Sequence, residues 1–140
     1  MANVKLDSVL SSVPLFDGLS RRHVKRLANV SEVADFMADH AIVREGDPGD
    51  AFYVVLAGQA KVTTNGKVVN RVMPGDYFGE ISLLDGDVRT ATVTSETPMT
   101  LLMLGRPKFL KAVREEPDIA MNLLAGLAKQ LRRTSRSISG

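Results

Sequence analysis

Apolar positions change their spacing twice along the chain. Between residues 4 and 12 they fall at Val4, Leu6, Val9 and Leu10, with Val13 just beyond, which predicts a short helix ended by Pro14. PLFDGLS (14–20) leads to a second helix, with Ser20 as its N-cap and Val24, Leu27 and Ala28 at helical spacing. From about Val30 the helical period is lost. Val30, Val33, Phe36 and the run Ala41-Ile42-Val43 sit in short stretches broken by turn residues. EGDPGD (45–50) is dense in Gly, Pro and Asp and predicts a loop. AFYVVLAG (51–58) is an apolar, β-branched strand and QAKVTT (59–64) alternates. Asn65-Gly66, between KVTT and KVVNRV, is a strong hairpin signal, and Pro74-Gly75-Asp76 is another turn. ATVTSE (91–96) and MTLLML (99–104) complete seven or eight short strands, the pattern of a sandwich or barrel.

After Gly105 the helical period returns. Arg106 to Glu115 reads as a short helix with Pro107 near its first turn, and Asp118 as the cap of a longer one to about Arg133. Ala120, Leu124, Leu127 and Leu131 recur at steps of four, three and four, a coiled-coil-like seam. That seam either packs on the strands of its own domain or joins two copies of the chain. The tail TSRSISG (134–140) reads as a frayed end.

Composition narrows the chemistry. With 140 residues, 44% of them hydrophobic and 24% charged, the chain suits one domain with a real core. It has no cysteine, which excludes disulfides and thiol chemistry and fits a cytoplasmic protein. No apolar run approaches the roughly 18 residues that span a bilayer, and MANVKLDSVLSSV is too polar for a signal peptide. The net charge of +2 comes from dispersed basic residues, so charge gives no reason to expect nucleic-acid binding. The only histidines, His23 and His40, lie far apart and cannot by themselves build a His-rich metal site.

One segment resists the reading as plain core. FGEISLLDGDVRTATV (78–93) is mostly apolar yet holds Glu80 and, nine positions later, Arg89. Gly79 lets a ligand approach the backbone, and Glu80 to Leu84 is long enough for one to two helical turns whose first N–H groups favour an anion. Arg89 offers a planar fork to two phosphate oxygens, Thr90 adds a hydroxyl, and Glu80 can accept from a sugar hydroxyl. One cation with helix N–H groups suits a singly charged phosphodiester without a metal. The same residues also fit a Glu80–Arg89 salt bridge, or an Arg89 that only caps carbonyls.

The segment resembles the phosphate-binding cassette of cyclic nucleotide-binding domains, such as those of cAMP-dependent kinase regulatory subunits, with Phe78-Gly79-Glu80, Ile81-Ser82-Leu83 and Arg89-Thr90-Ala91 at the family's positions. EGDPGDAFYVVLAGQAKV (45–62) is similar to the family's glycine-punctuated strand pair, and EPDIAMNLLAGLAKQLRRTS (116–135) to the long helix of the bacterial catabolite activator type. The resemblance runs from about Leu15 to Ser135.

The resemblance implies a mainly β fold with flanking helices: an eight-stranded antiparallel, jelly-roll-like β-roll with N-terminal helices and a long C-terminal helix. One domain would fill residues 1–140, with the β-roll over about 30–105 and C-terminal helices over about 106–134. It implies a ligand site at Phe78, Gly79, Glu80, Ile81, Ser82, Arg89, Thr90 and Ala91. Arg89 and the backbone around Ser82 would hold the cyclic phosphate, Glu80 the ribose 2′-hydroxyl, and Thr90 the phosphate or base. Thr134 and Ser135 match a pair that reaches the base. The ligand would be cAMP, with cGMP as the alternative that Thr90 leaves open, and no cofactor or metal is implied.

The function expected is a non-enzymatic cytoplasmic sensor. Leu83 and Leu84 would pass occupancy to Phe109 and the C-terminal helices. Its partners would be a second copy through the 118–134 helix or a downstream effector, with no membrane. The catabolite activator type continues into a DNA-binding domain and only RSISG follows Thr134-Ser135, so no DNA-binding domain and no direct nucleic-acid contact is expected. Two alternatives stand: an interaction module with a degenerate site, and a regulatory domain excised from a larger transcription factor, channel or enzyme.

Overall fold

The computed structural model describes the backbone of residues 5–139 and the side chains of residues 5–133. In chain order its elements are α1 (Leu6–Ser11), a 3₁₀ turn (Pro14–Phe16), α2 (Arg21–Asn29), β1 (Glu32–Phe36), β2 (Ala41–Val43), β3 (Ala51–Ala57), β4 (Ala60–Thr64), β5 (Lys67–Val72), β6 (Tyr77–Phe78), α3 (Glu80–Asp85), β7 (Thr92–Ser95), β8 (Met99–Gly105), α4 (Arg106–Glu115) and α5 (Asp118–Ser139). Internal contacts divide the chain into two units: Val30–Phe109, and Met1–Asn29 with Leu110–Gly140.

The first unit is the β-roll. Eight strands, all paired antiparallel, form two four-stranded sheets in the orders β1-β8-β3-β6 and β2-β7-β4-β5. The pattern of each strand explains its place. AFYVVLA is apolar at every position, and β3 lies inside its sheet between β8 and β6, buried from Ala51 to Val55. KVVNRV carries Lys, Asn and Arg, and β5 is an edge strand exposed from Lys67 to Arg71. The β4–β5 hairpin turns at Asn65 (φ +52°) and Gly66 (φ +78°), as Asn-Gly predicted. Side chains alternating along the strands form one core: Ala51, Tyr53, Val55, Met99 and Leu101 meet Ala60, Val72 and Val93. Fully burying such side chains stabilises the fold by about 1.5–3 kcal/mol each.

The second unit is helical. Ser20 caps α2 as expected, its Oγ accepting from the His23 N–H at 3.2 Å. α5 runs close to the Pro14–Gly18 turn: a Cβ on Gly18 would stand 2.5 Å from the Asn122 carbonyl oxygen, and Gln130 Nε2 donates to the Pro14 carbonyl at 2.9 Å. Arg26 pairs with Glu115, and Arg22 with Glu116 at 3.5 Å.

Three expectations for the C-terminal helices are corrected. Asp118 is the first helical residue and not the cap; helical hydrogen bonds already return to the Glu116 and Pro117 carbonyls. The acid sits in the first turn, where it complements the helix dipole. The Ala120/Leu124/Leu127/Leu131 seam is not the packed face. Ile119, Leu123 and Gly126 are buried, whereas Leu124 and Leu131 are 59% and 68% exposed. The two stripes lie one residue apart, a rotation of about 100° that spacing alone cannot assign. Finally, TSRSISG does not fray at Thr134, because helix continues to Ser139 with no Gly or Pro to break it before Gly140.

Candidate functional site

The cassette begins at β6, which pairs with β3 and sets Phe78 opposite Tyr53, their rings stacked at 5.0 Å. Gly79 then turns strand into helix in the left-handed region, at φ +86°. α3 is a short helix anchored by the fully buried Leu83, whose N–H closes the first turn on the Gly79 carbonyl at 3.1 Å. Gly86, at φ +68°, ends it and donates to the Ser82 carbonyl at 2.8 Å. Asp85 and Asp87 shape the next turn: Asp85 Oδ1 accepts from the Asp87 N–H at 2.9 Å, and Asp87 Oδ1 from the Val88 N–H at 2.8 Å.

EGDPGD does more than connect two strands. The Gly49 N–H donates to the Asp87 carbonyl at 3.0 Å, Arg89 N–H to Asp47 at 2.8 Å, and Gly46 N–H to Arg89 at 2.8 Å, with Pro48 opposite Val88. The loop is a strap that pairs along residues 87–89 and holds Arg89 in register. A side chain at position 49 would fall on Ser82 Cβ and Oγ, so the strap presses directly against α3. Sequence reading took the segment as a turn-rich loop and as the start of a glycine-punctuated strand pair, and it did not foresee the pairing with residues 87–89.

Arg89 is the buried charge of the site, 6% exposed. Its Nη2 donates to the Ala51 carbonyl at 2.6 Å and lies 3.8 Å from Asp50 Oδ1, a carboxylate in open solvent that balances it weakly. Its Nη1 lies under Gly79, where a Cβ would approach it to 2.5 Å. Arg89 lines two cavities. One, of about 320 Å³, is lined by Arg44, Asp47, Asp50 and Tyr53. There, burial pushes the Tyr53 hydroxyl up in pKa, Asp50 adds to the rise and Arg89 opposes it.

The other cavity, of about 280 Å³, is lined by all eight cassette residues named from the sequence: Phe78, Gly79, Glu80, Ile81, Ser82, Arg89, Thr90 and Ala91. Its volume is close to the lower end of the roughly 300–1,000 Å³ of ligand pockets. Val43, Val62 and Val93 add apolar surface from three strands that sequence reading did not assign to the site. Ile81 and Val88 stand exposed at 60% and 53% among its lining residues.

Glu80 is half-buried, and it forms no ion pair with Arg89 among the described residues. The salt-bridge reading therefore fails, while the carbonyl-capping reading accounts for one nitrogen of Arg89. Burial raises the Glu80 carboxyl above the ordinary glutamate range, and hydrogen bonds from the Glu80 and Ile81 N–H groups only partly offset this. Thr90 is exposed, and its carbonyl accepts from Thr64 Oγ1 at 3.5 Å. The side chains of Thr134 and Ser135 lie outside the described residues. Among the described residues no group of three His, Asp or Glu is placed to hold a metal ion, and no helix is long and apolar enough to cross a membrane.

A strapped cassette helix and a buried guanidinium on an antiparallel β-roll form a cavity whose chemistry suits a small anion. Comparison with known sequences and structures makes the class specific. The family model described as cyclic nucleotide-binding domain matches residues 33–116, and the chain belongs to that family. It is 28% identical over 139 residues to a CRP-like cAMP-activated global transcriptional regulator of Mycobacterium tuberculosis, covering 96% of this chain and 62% of the relative. Among solved structures, the N-terminal domain of a transcriptional regulator from Streptomyces coelicolor A3(2) superposes with a TM-score of 0.79 at 34% identity, covering 90% of this chain and 94% of that one. The catabolite activator protein of Thermus thermophilus superposes at 0.67 with 31% identity, covering 91% and 62%. The chain thus spans under two thirds of the length of the Mycobacterium relative and the Thermus protein.

Proposed function

We propose that this chain is a non-enzymatic regulatory module that binds a cyclic nucleotide, cAMP in preference to cGMP, in the cassette cavity. The observation that carries the reading is the buried Arg89 guanidinium beneath Gly79, with Glu80 lining the same cavity but not paired to it. Arg89 would take the cyclic phosphate together with the backbone around Ser82, since the Glu80 and Ile81 N–H groups already serve the Glu80 carboxyl, and Glu80 the ribose 2′-hydroxyl. Ile81, Val62 and Val43 offer apolar surface to the rest of the ligand. The preference for cAMP rests on likeness to the cAMP-activated Mycobacterium regulator. The non-enzymatic reading rests on likeness to the transcriptional regulators above. Binding would order the cassette and shift the C-terminal helices between two states, by no more than the ligand's differential affinity for them.

Titration calorimetry with cAMP and cGMP tests this. One molecule of nucleotide per chain is expected, with cAMP the tighter; absence of binding by either nucleotide overturns the reading. A pH series adds a check. Because the folded Glu80 carboxyl titrates above the ordinary value of about 4.3, its charge is lost on acidification earlier than that of an exposed glutamate. Affinity should fall as pH drops through that raised value. Glu80→Gln should bind about tenfold more weakly near neutral pH and show no such fall. The same shift has the opposite sign for stability: the folded chain holds the proton more tightly, so this group's contribution declines as pH rises through the window.

The exposed stripe on α5 supports a second copy of the chain as partner. Met121, Leu124 and Leu131 are each about 60–70% exposed on one helix. Sedimentation should report a dimer that Leu124→Glu dissociates; a monomer at high concentration would leave a separate effector as the partner.

A further inference from the structure

We propose that Arg106 is a positioning residue that ties the order of the cassette helix α3 to the first turn of α4. The proposal rests on the cyclic-nucleotide reading and adds to it a specific mechanical link. Arg106 is the first residue of α4, yet its side chain belongs to the cassette. Its Nε donates to the Leu83 carbonyl and its Nη2 to the Leu84 carbonyl, both at 3.2 Å. These are among the carbonyls that the end of a helix leaves without an intrahelical partner, and a cation there also meets the negative end of the helix dipole. The planar fork spans two successive carbonyls, which a single ammonium cannot match.

Gly86 completes the fit. A Cβ there would stand 2.9 Å from Arg106 Cζ, 3.0 Å from Nη1 and 3.1 Å from Nε, so the guanidinium lies against the bare backbone that ends α3. The α3 C-terminus is thus held through buried Leu83 and through Arg106. The backbone of Arg106 closes a second connection: its N–H donates to the Asp50 carbonyl at 2.8 Å. Asp50 ends the strap, and the next carbonyl, that of Ala51, receives Arg89. Position 106 therefore meets the α3 terminus through its side chain and the end of the strap, one residue before the Arg89 anchor, through its backbone.

Hydrogen exchange on the whole chain, with and without saturating cAMP, tests the link. In the unaltered protein, cAMP should change protection both at residues 79–89 and in the first turn of α4. In ligand-free Arg106→Ala, exchange should rise about tenfold at residues 83–86 and in that turn together, as expected when one shared clamp opens. With cAMP, the cassette of the variant should regain protection, its Kd should stay within about tenfold of the unaltered value, and the response of α4 should be lost. Arg106→Lys keeps the charge without the fork; it should retain less than half of the α4 response, and it carries the same comparison if the alanine variant does not fold. A purely structural role would lower the melting temperature while leaving the α4 response at full size, and that result overturns the proposal. If the unaltered protein takes up neither nucleotide, the binding reading falls, and the ligand-free comparison alone decides the clamp: exchange rising at only one of the two segments refutes it.

Discussion

Arg89→Leu is expected to weaken cyclic-nucleotide binding by about 30-fold or more while the chain remains folded. Truncating one partner of a buried, hydrogen-bonded charge pair costs about 2–5 kcal/mol, and about 1.4 kcal/mol is tenfold in affinity. In the proposed binding mode Arg89 supplies the guanidinium that meets the phosphate, and leucine fills part of its volume with no donor. Stability should fall as well, because the Ala51 carbonyl loses the donor it has at 2.6 Å. That loss is about 1–3 kcal/mol, within what a domain can absorb. Circular dichroism would confirm a folded variant, and calorimetry would read the affinity. Arg89→Lys refines the result. It keeps the charge but cannot hold the Ala51 carbonyl and present a two-pronged face to phosphate at once, so an intermediate loss is expected. Unchanged affinity in a folded Arg89→Leu protein would remove Arg89 from the site and leave it as a cap for Ala51.

The layout of the roll was largely legible because strand and turn signals are local. Asn65-Gly66 needs only its own backbone and its two flanking strands to make the hairpin, and the run 51–55 announces burial on both faces by its composition. The cassette residues were legible as a set because they lie within fourteen positions of one another. What they touch was not. The partner of Arg89 is a carbonyl 38 positions away, and the carbonyls held by Arg106 are 22 and 23 positions away. Neither leaves a periodic trace, since any residue provides a carbonyl. The strap role of residues 46–50 was hidden for the same reason: its hydrogen bonds are main-chain to main-chain. On α5 the helical period was plain but its phase was not. Ile119, Leu123 and Gly126 form one apolar or small stripe, Ala120, Leu124 and Leu127 another, and long-range contacts such as Gly18 against Gly126, which leave no mark in the period, go with burial of the first.

Gly79 is where backbone geometry and the proposed ligand chemistry coincide, and substitution there should cost both stability and binding. Two separate penalties apply. At φ +86° an alanine pays the left-handed penalty, about 1–2 kcal/mol. Its Cβ would also stand 2.5 Å from Arg89 Nη1 and 2.8 Å from the Ala51 carbonyl oxygen. The second contact is with the backbone of the buried β3 strand, which cannot retreat, so the strain falls on Arg89 or on the start of α3. Gly79→Ala should therefore melt roughly 5–10 °C lower, the equivalent of about 2 kcal/mol for a chain of this size, and bind cAMP at least tenfold more weakly. Gly79→Asn separates the two penalties. Asparagine tolerates the left-handed region better than alanine but carries the same Cβ. If conformation alone mattered, asparagine would restore both melting temperature and affinity. The geometry at Arg89 predicts a partial return of stability with no return of binding, because the atom that displaces the guanidinium is present in both variants.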